Sequence, residues 1–136
     1  MNGFLVDSKV ILDIFLDDPR WADWSVAALA DAGTRAPLYI NPIVYSEVSI
    51  GFQEIEEWEA ALHKAGFQML AIPKEALFLA GKAYLSYRKR KGFKHSPLPD
   101  FNIGAQAAVL GMELITRDER RYRTYFPTIN IISPHR

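Results

Sequence analysis

The sequence predicts a three-layer α/β/α sandwich, an α/β fold built on a central, mostly parallel sheet of four to five strands. Three observations lead there. Short apolar runs recur along the chain, and segments with helical periodicity separate them. The first run, residues 3–7 (GFLVD), stays apolar up to a terminal acid, as suits a strand buried on both faces. At 136 residues and 49% hydrophobic content, the chain can bury one core and is read as a single domain over 1–136.

The elements follow in order. After the strand at 3–7, a helix is expected over 9–16 and a second over 20–32, stopped by Gly33. Residues 37–40 (PLYI) read as the second strand. Asn41-Pro42 then supplies an N-cap and a proline at the first helical position, starting a helix that carries Glu47. Residues 54–65 place Ile55, Trp58, Leu62 and Ala65 on one helical stripe. Residues 67–72 (FQMLAI) read as a third strand. Pro73 opens a longer helix with Ala76, Leu77, Ala80, Ala83, Tyr84 and Tyr87 on one face, ended by Gly92. Pro99-Asp100 opens another, closed by Gly111. Residues 113–116 (ELIT) form a strand, 118–124 a short helix and 129–132 (INII) a last strand. Strands alternating with helices imply parallel pairing through right-handed crossovers. Ligands of such sheets bind beyond the carboxyl ends of the strands.

Composition narrows the setting. The chain has no cysteine, which excludes a disulfide framework and a thiolate metal site and fits a reducing, cytoplasmic compartment. The start of the chain lacks the basic and long apolar regions of a secretory signal, and no apolar run approaches the ~20 residues of a membrane span. Net charge is zero but unevenly spread. Residues 1–60 hold eleven acids and three bases, and residues 61–136 hold five acids and thirteen bases. The asymmetry points to an anionic partner or a complementary protein surface, set against two ordinary solvated faces.

Four acids fall at the predicted carboxyl edge. Asp7 ends the first strand, Glu47 lies two turns into the helix after the second, and Asp118 sits two residues past the fourth. Asp100 opens a helix running antiparallel to the strands, so its start also lies at that edge. Converging carboxylates repel one another. A divalent cation with hard oxygen ligands removes the conflict, and it can polarise a phosphodiester and activate water. Each acid has a plainer reading too. Asp100 and Asp118 suit N-caps, and Glu47 suits a helix dipole. Asp7 is hardest to dismiss, because a carboxylate closing a buried strand is costly unless it has a use.

The same stretches resemble the PIN domain family, in particular VapC-like toxins of toxin–antitoxin pairs, nearly end to end. Phe4-Leu5-Val6-Asp7-Ser8 with Val10-Ile11-Leu12-Asp13 looks like the first-strand motif. Pro42-Ile43-Val44-Tyr45-Ser46-Glu47 looks like the helix of the second acid. Leu98-Pro99-Asp100-Phe101, with Ile103-Gly104-Ala105 and Ala107, is similar to the third. Leu114-Ile115-Thr116-Arg117-Asp118, then Arg121-Tyr122 and Tyr125-Phe126-Pro127, is similar to the fourth. The resemblance implies a metal-dependent endoribonuclease that cuts RNA by water attack. It implies Mg²⁺, with Mn²⁺ as a substitute, held by Asp7, Asp100 and Asp118. Glu47 would ligate metal or orient the water, and the hydroxyls of Thr116 and Ser8 would support the acids. It further implies an antitoxin partner and a homodimer. The sequence departs from the family pattern at Lys9, where a small polar residue is common, and at Asn102 and Gln106, where many related toxins carry an aromatic and a histidine. Lys9 would compete with metal, grip a phosphate or point into solvent.

Two basic groups are candidates for phosphate contact. Residues 87–95 (YRKRKGFKH) include Arg88, Lys91 and His95, and Arg117, Arg120, Arg121 and Arg123 flank Asp118. A solvated helix end explains the first group equally well. His63 and His135 read as surface residues, and His95 is not needed as a catalytic base. Asp13, Asp17 and Asp18 read as solvated. Trp21, Trp24, Trp58 and Tyr87 read as core or interface. The rival readings are a PIN-fold binding module with weakened catalysis, motivated by Lys9, and a PIN nuclease of RNA processing outside toxin systems. A response-regulator receiver wants adjacent acids after the first strand and a haloacid-dehalogenase-like phosphatase wants Asp-x-Asp; Asp7-Ser8-Lys9 supplies neither.

Overall fold

The computed structural model describes residues 2–91 and 98–134. Gly92, Lys94, His95 and His135 lie outside them, as does the side chain of Lys91. Five parallel strands form the sheet: β1 (Phe4–Val6), β2 (Leu38–Ile40), β3 (Phe67–Met69), β4 (Glu113–Ile115) and β5 (Ile131–Ile132). Their order is β3-β2-β1-β4-β5. Seven helices connect them among the described residues: α1 (Ser8–Phe15), α2 (Ala22–Arg35), α3 (Pro42–Val48), α4 (Ile55–Ala65), α5 (Lys74–Lys91), α6 (Leu98–Leu110) and α7 (Glu119–Tyr125). The α/β class and the parallel sheet agree with expectation.

The order places a topological switch between β1 and β4. From β1 the chain moves outward through β2 to β3, then returns to the other side of β1 with β4 and β5. Right-handed crossovers put α1–α4 on one face and α5–α7 on the other. The packing of α1 on α2 and α3, and of α6 on α5 and α7, follows that division. The strand residues of β1 are all buried, and Leu114 and Ile115 of β4 beside them are fully so. The carboxyl ends of these two central strands lie at that switch point, the place where such sheets bind ligands.

Several local expectations are corrected. Gly33 does not stop the second helix, which runs on to Arg35. Pro37 sets the end instead: it disfavours helical backbone at Ala36, which is extended at φ −164, ψ 166. The third strand stops at Met69, not 72, and the last strand is only Ile131–Ile132. Ile55 is 63% exposed, because α4 buries only Trp58 and Leu62 of the predicted stripe and leaves Ala65 outside too. Leu77 on α5 is likewise exposed, while Ala76, Ala80 and Tyr87 are buried. Asn41 caps α3 as expected, its side chain accepting from the Val44 amide at 2.8 Å. It also donates to Gln106 of α6 at 2.9 Å, and Gln106 donates to the Ala71 carbonyl at 3.1 Å. This buried amide chain ties the carboxyl edge of the sheet to a helix of the opposite face. Among the described residues no helix is long and apolar enough to cross a membrane.

Candidate active site

The site is built around Asp7, the residue between β1 and α1. Its position is that of an N-cap, but its side chain makes no capping bond. One oxygen is held instead from the neighbouring strand: Thr116, just past β4, donates its hydroxyl to Asp7 Oδ2 at 2.8 Å. The Tyr122 hydroxyl, from α7, lies 3.3 Å from the same oxygen. Thr116 also accepts the Asp118 amide at 3.0 Å, so one hydroxyl fixes Asp7 and the backbone of Asp118 together. All three side chains that meet at Oδ2 are buried. On the other side, Ser8 donates to Glu47 Oε1 at 2.8 Å and is a marginal 3.5 Å from Asp7 Oδ1. The two expected supporting hydroxyls therefore both hold acids: Thr116 holds Asp7, and Ser8 holds Glu47.

The electrostatics tie Asp7, Glu47, Asp100 and Asp118 into one cluster. Burial lifts the Asp7 pKa from the ordinary 3.8 to about 6, and repulsion from Asp100 and Glu47 adds to the rise against the Thr116 bond. Glu47 is raised by burial and by Asp100, opposed by Ser8 and Lys9. Asp100 is raised by burial and by Asp118, opposed by Arg121 and Lys9. Burial and the charges of Asp7 and Asp100 push Tyr122 well above 10, so it remains a neutral donor. The simple capping reading fails for Asp118: it precedes α7 without a side-chain capping bond. Lys9 is exposed, but its charge is close enough to favour ionised Glu47 and Asp100. It stands beside the acids, not out in remote solvent.

The basic residues divide into two kinds. Arg121 forms ion pairs with Asp100 and, at 3.5 Å, with Asp118 Oδ2. Arg117 is turned away from the acids and onto Asp13, with Nη2–Oδ1 and Nε–Oδ2 both at 3.0 Å and its guanidinium 5.2 Å from the centre of the Trp21 ring. Asp13 also accepts the buried Ser25 hydroxyl at 3.2 Å. Asp13 is thus buried and paired, which overturns its reading as a solvated residue. The physical reason is Arg117: a guanidinium fork makes burial of the carboxylate tolerable. Asp18 is half-buried and accepts the Arg20 and Trp21 amides, while Asp17 is exposed. Arg88 and Arg120 are exposed, as is His63. Arg90 lies over the Tyr125 ring at 5.6 Å, so the basic end of α5 adjoins α7. Trp58 and Tyr87 are core residues, and Trp21 and Trp24 are half-buried.

Besides the Asp13–Arg117 pair, two contacts at the acids escaped the sequence reading. The Tyr122 hydroxyl on Asp7 joins residues 115 positions apart, which no local pattern reveals. Arg121 on Asp118 had a signal, since i,i+3 is ion-pair spacing on a helix. Among the described residues no ready-made metal cluster of three His, Cys, Asp or Glu side chains is present. The donor set nonetheless fits a hard divalent cation: carboxylate and hydroxyl oxygens only, mutually repulsive, with a cation of the chain already drawn onto two of them.

A family model described as PIN domain matches residues 4–127. Among solved structures, the chain is similar to VapBC2 from Rickettsia felis bound to a DNA fragment from the promoter, with a TM-score of 0.71 and 15% identity over 96% of this chain and 98% of that one. It is similar to VapBC-1 from nontypeable Haemophilus influenzae, with a TM-score of 0.70 and 17% identity over 96% and 97%. A toxin–antitoxin complex from Klebsiella pneumoniae gives a TM-score of 0.63 and 23% identity over 96% and 97%. At these identities the likeness is one of fold. No curated protein sequence matches the chain.

Proposed function

The chain belongs to the PIN domain family, and from that membership and the site above we propose that it is a metal-dependent endoribonuclease, the toxin of a toxin–antitoxin pair. The observation that carries the reading is Asp7: a buried carboxylate at the sheet's switch point, raised to about 6 by burial with Asp100 and Glu47 adding repulsion. A fold tolerates such a cluster where the charge has a use. Asp7, Asp100 and Asp118 would hold Mg²⁺ or Mn²⁺, which when bound polarises a phosphodiester oxygen and lowers the pKa of water.

The chain's own residues do the rest. Thr116 and Tyr122 occupy Asp7 Oδ2, and Oδ1, with only the marginal Ser8 contact, would be the oxygen offered to a cation. Ser8 occupies Glu47 Oε1, so Oε2 is left to orient an attacking water and take its proton. The raised pKa of Glu47 suits it to accept that proton. Exposed Arg88 and Arg120 are the candidates for RNA phosphates, with Lys91 three residues after Arg88. Arg117 and Arg121 are engaged with acids of the chain and serve RNA only if those pairs open. The similar structures include a toxin–antitoxin complex, which supports an antitoxin partner here. A homodimer is proposed from the family likeness alone.

Lys9 and Arg121, two cations against the acids, favour a second reading in which the module binds RNA or protein with weakened catalysis. Two variants separate the readings. Glu47→Gln should lose cleavage of a structured RNA pool yet still bind Mn²⁺ in calorimetry. Asp7→Asn should lose both. Wild-type protein that is folded but neither binds Mn²⁺ nor cleaves would favour the binding module.

A further inference from the structure

The position of Arg121 bears on how a cation reaches this site, an argument that rests on the metal-site reading above. Arg121 lies on the first turn of α7, three residues after Asp118, and reaches across to Asp100 on α6. The oxygens it contacts are Asp100 Oδ2 and Asp118 Oδ2. Both acids belong to the set that would ligate a divalent cation. A guanidinium and a divalent cation cannot share these oxygens without direct like-charge repulsion. Arg121 keeps 32% of its side chain exposed, so it has solvent to move into. Asp100 is more enclosed, with 14% exposed, and its charge needs a partner when no metal is near.

We propose that Arg121 is a built-in counter-ion that occupies the metal-binding oxygens of Asp100 and Asp118, so that a divalent cation binds by displacing it. The pair stabilises the metal-free fold and weakens metal affinity by the same interaction. Metal binding and opening of the Arg121 pairs are then one coupled equilibrium.

The test is Mn²⁺ titration calorimetry on the whole chain as wild type, Arg121→Gln and Arg121→Lys. Arg121→Gln removes the charge and should bind Mn²⁺ about tenfold more tightly, the size of an ordinary coupling between linked sites. Arg121→Lys keeps the charge and should stay close to wild type. Equal or weaker binding by a folded Arg121→Gln overturns the proposal. Wild-type protein gives a second readout that does not depend on a variant folding. The Arg121 Nε–H resonance should shift as Mg²⁺ is added, and a resonance unmoved at saturation also overturns the proposal. Absence of Mn²⁺ and Mg²⁺ binding by every form overturns the metal reading itself and this inference with it, whereas binding unaffected by Arg121→Gln overturns only the latter.

Discussion

At the scale of the residue, Asp7 carries the largest cost. Its folded pKa of about 6 lies above the ordinary 3.8, so the fold favours the protonated form. The stability this lends is present below the ordinary value and is lost as pH rises through about 6. Asp7→Asn keeps an oxygen for Thr116 and Tyr122 and removes the charge. In EDTA at pH 7.5 it should be more stable than wild type, by up to about 3 kcal/mol, and the gain should shrink toward pH 4. Paired thermal melts across that range check it; a variant less stable than wild type at pH 7.5 contradicts it. Asp7, Glu47, Asp100 and Asp118 were legible as candidates from their places after strands and at helix starts. Thr116 and Ser8 were expected only through the family resemblance. What Arg117, Arg121 and Tyr122 do was not, because each depends on a partner: Asp13 is 104 positions from Arg117, Asp100 is 21 from Arg121, and Asp7 is 115 from Tyr122.

At the scale of the element, short strands and close helix packing position those side chains. Periodicity found every strand, but its ends were set by things a single sequence does not display. The third strand ends where pairing with β2 stops at Met69, and the apolar residues Leu70 and Ile72 pack against the core without extending the strand. Gly104 was quoted for its family likeness, and its physical role is contact. A Cβ there would lie 2.4 Å from the Phe126 ring and 3.1 Å from that of Tyr122. Gly104→Ala should therefore cost about 1–3 kcal/mol by overpacking, despite alanine's better helix propensity. A urea melt showing no loss would mean that α6 and the segment after α7 separate easily. The Asp13–Arg117 pair works at the same scale, since it fastens α1 to the loop after β4, and Ser25 adds α2. Asp13→Ala leaves an arginine without its carboxylate and should cost about 2 kcal/mol or more; the quarter exposure of Arg117 keeps it below the full penalty for a buried pair. The same melts would detect it, and an unchanged midpoint would show the tie to be dispensable.

At the scale of the whole molecule, sheet order turns sequence positions into a site. With β1 between β2 and β4, the residues that follow β1 and β4 become neighbours although more than a hundred positions part them. Alternation of strands and helices made this edge legible in advance, but the strand order was not, because right-handed crossovers are compatible with more than one order. The charge asymmetry of the two halves resolves less simply. The site takes Asp7 and Glu47 from the acidic half and Asp100 and Asp118 from the basic half, with Arg121 and Lys9 against them. The central claim is that this edge cleaves RNA with a divalent cation. The most direct measurement is cleavage of a structured RNA pool by purified, antitoxin-free protein in Mn²⁺ and in EDTA, beside Asp7→Asn. Cleavage that disappears in EDTA and in Asp7→Asn is the predicted result; cleavage that survives either, or none by a folded protein shown to bind Mn²⁺ across a broad RNA pool, would contradict the account.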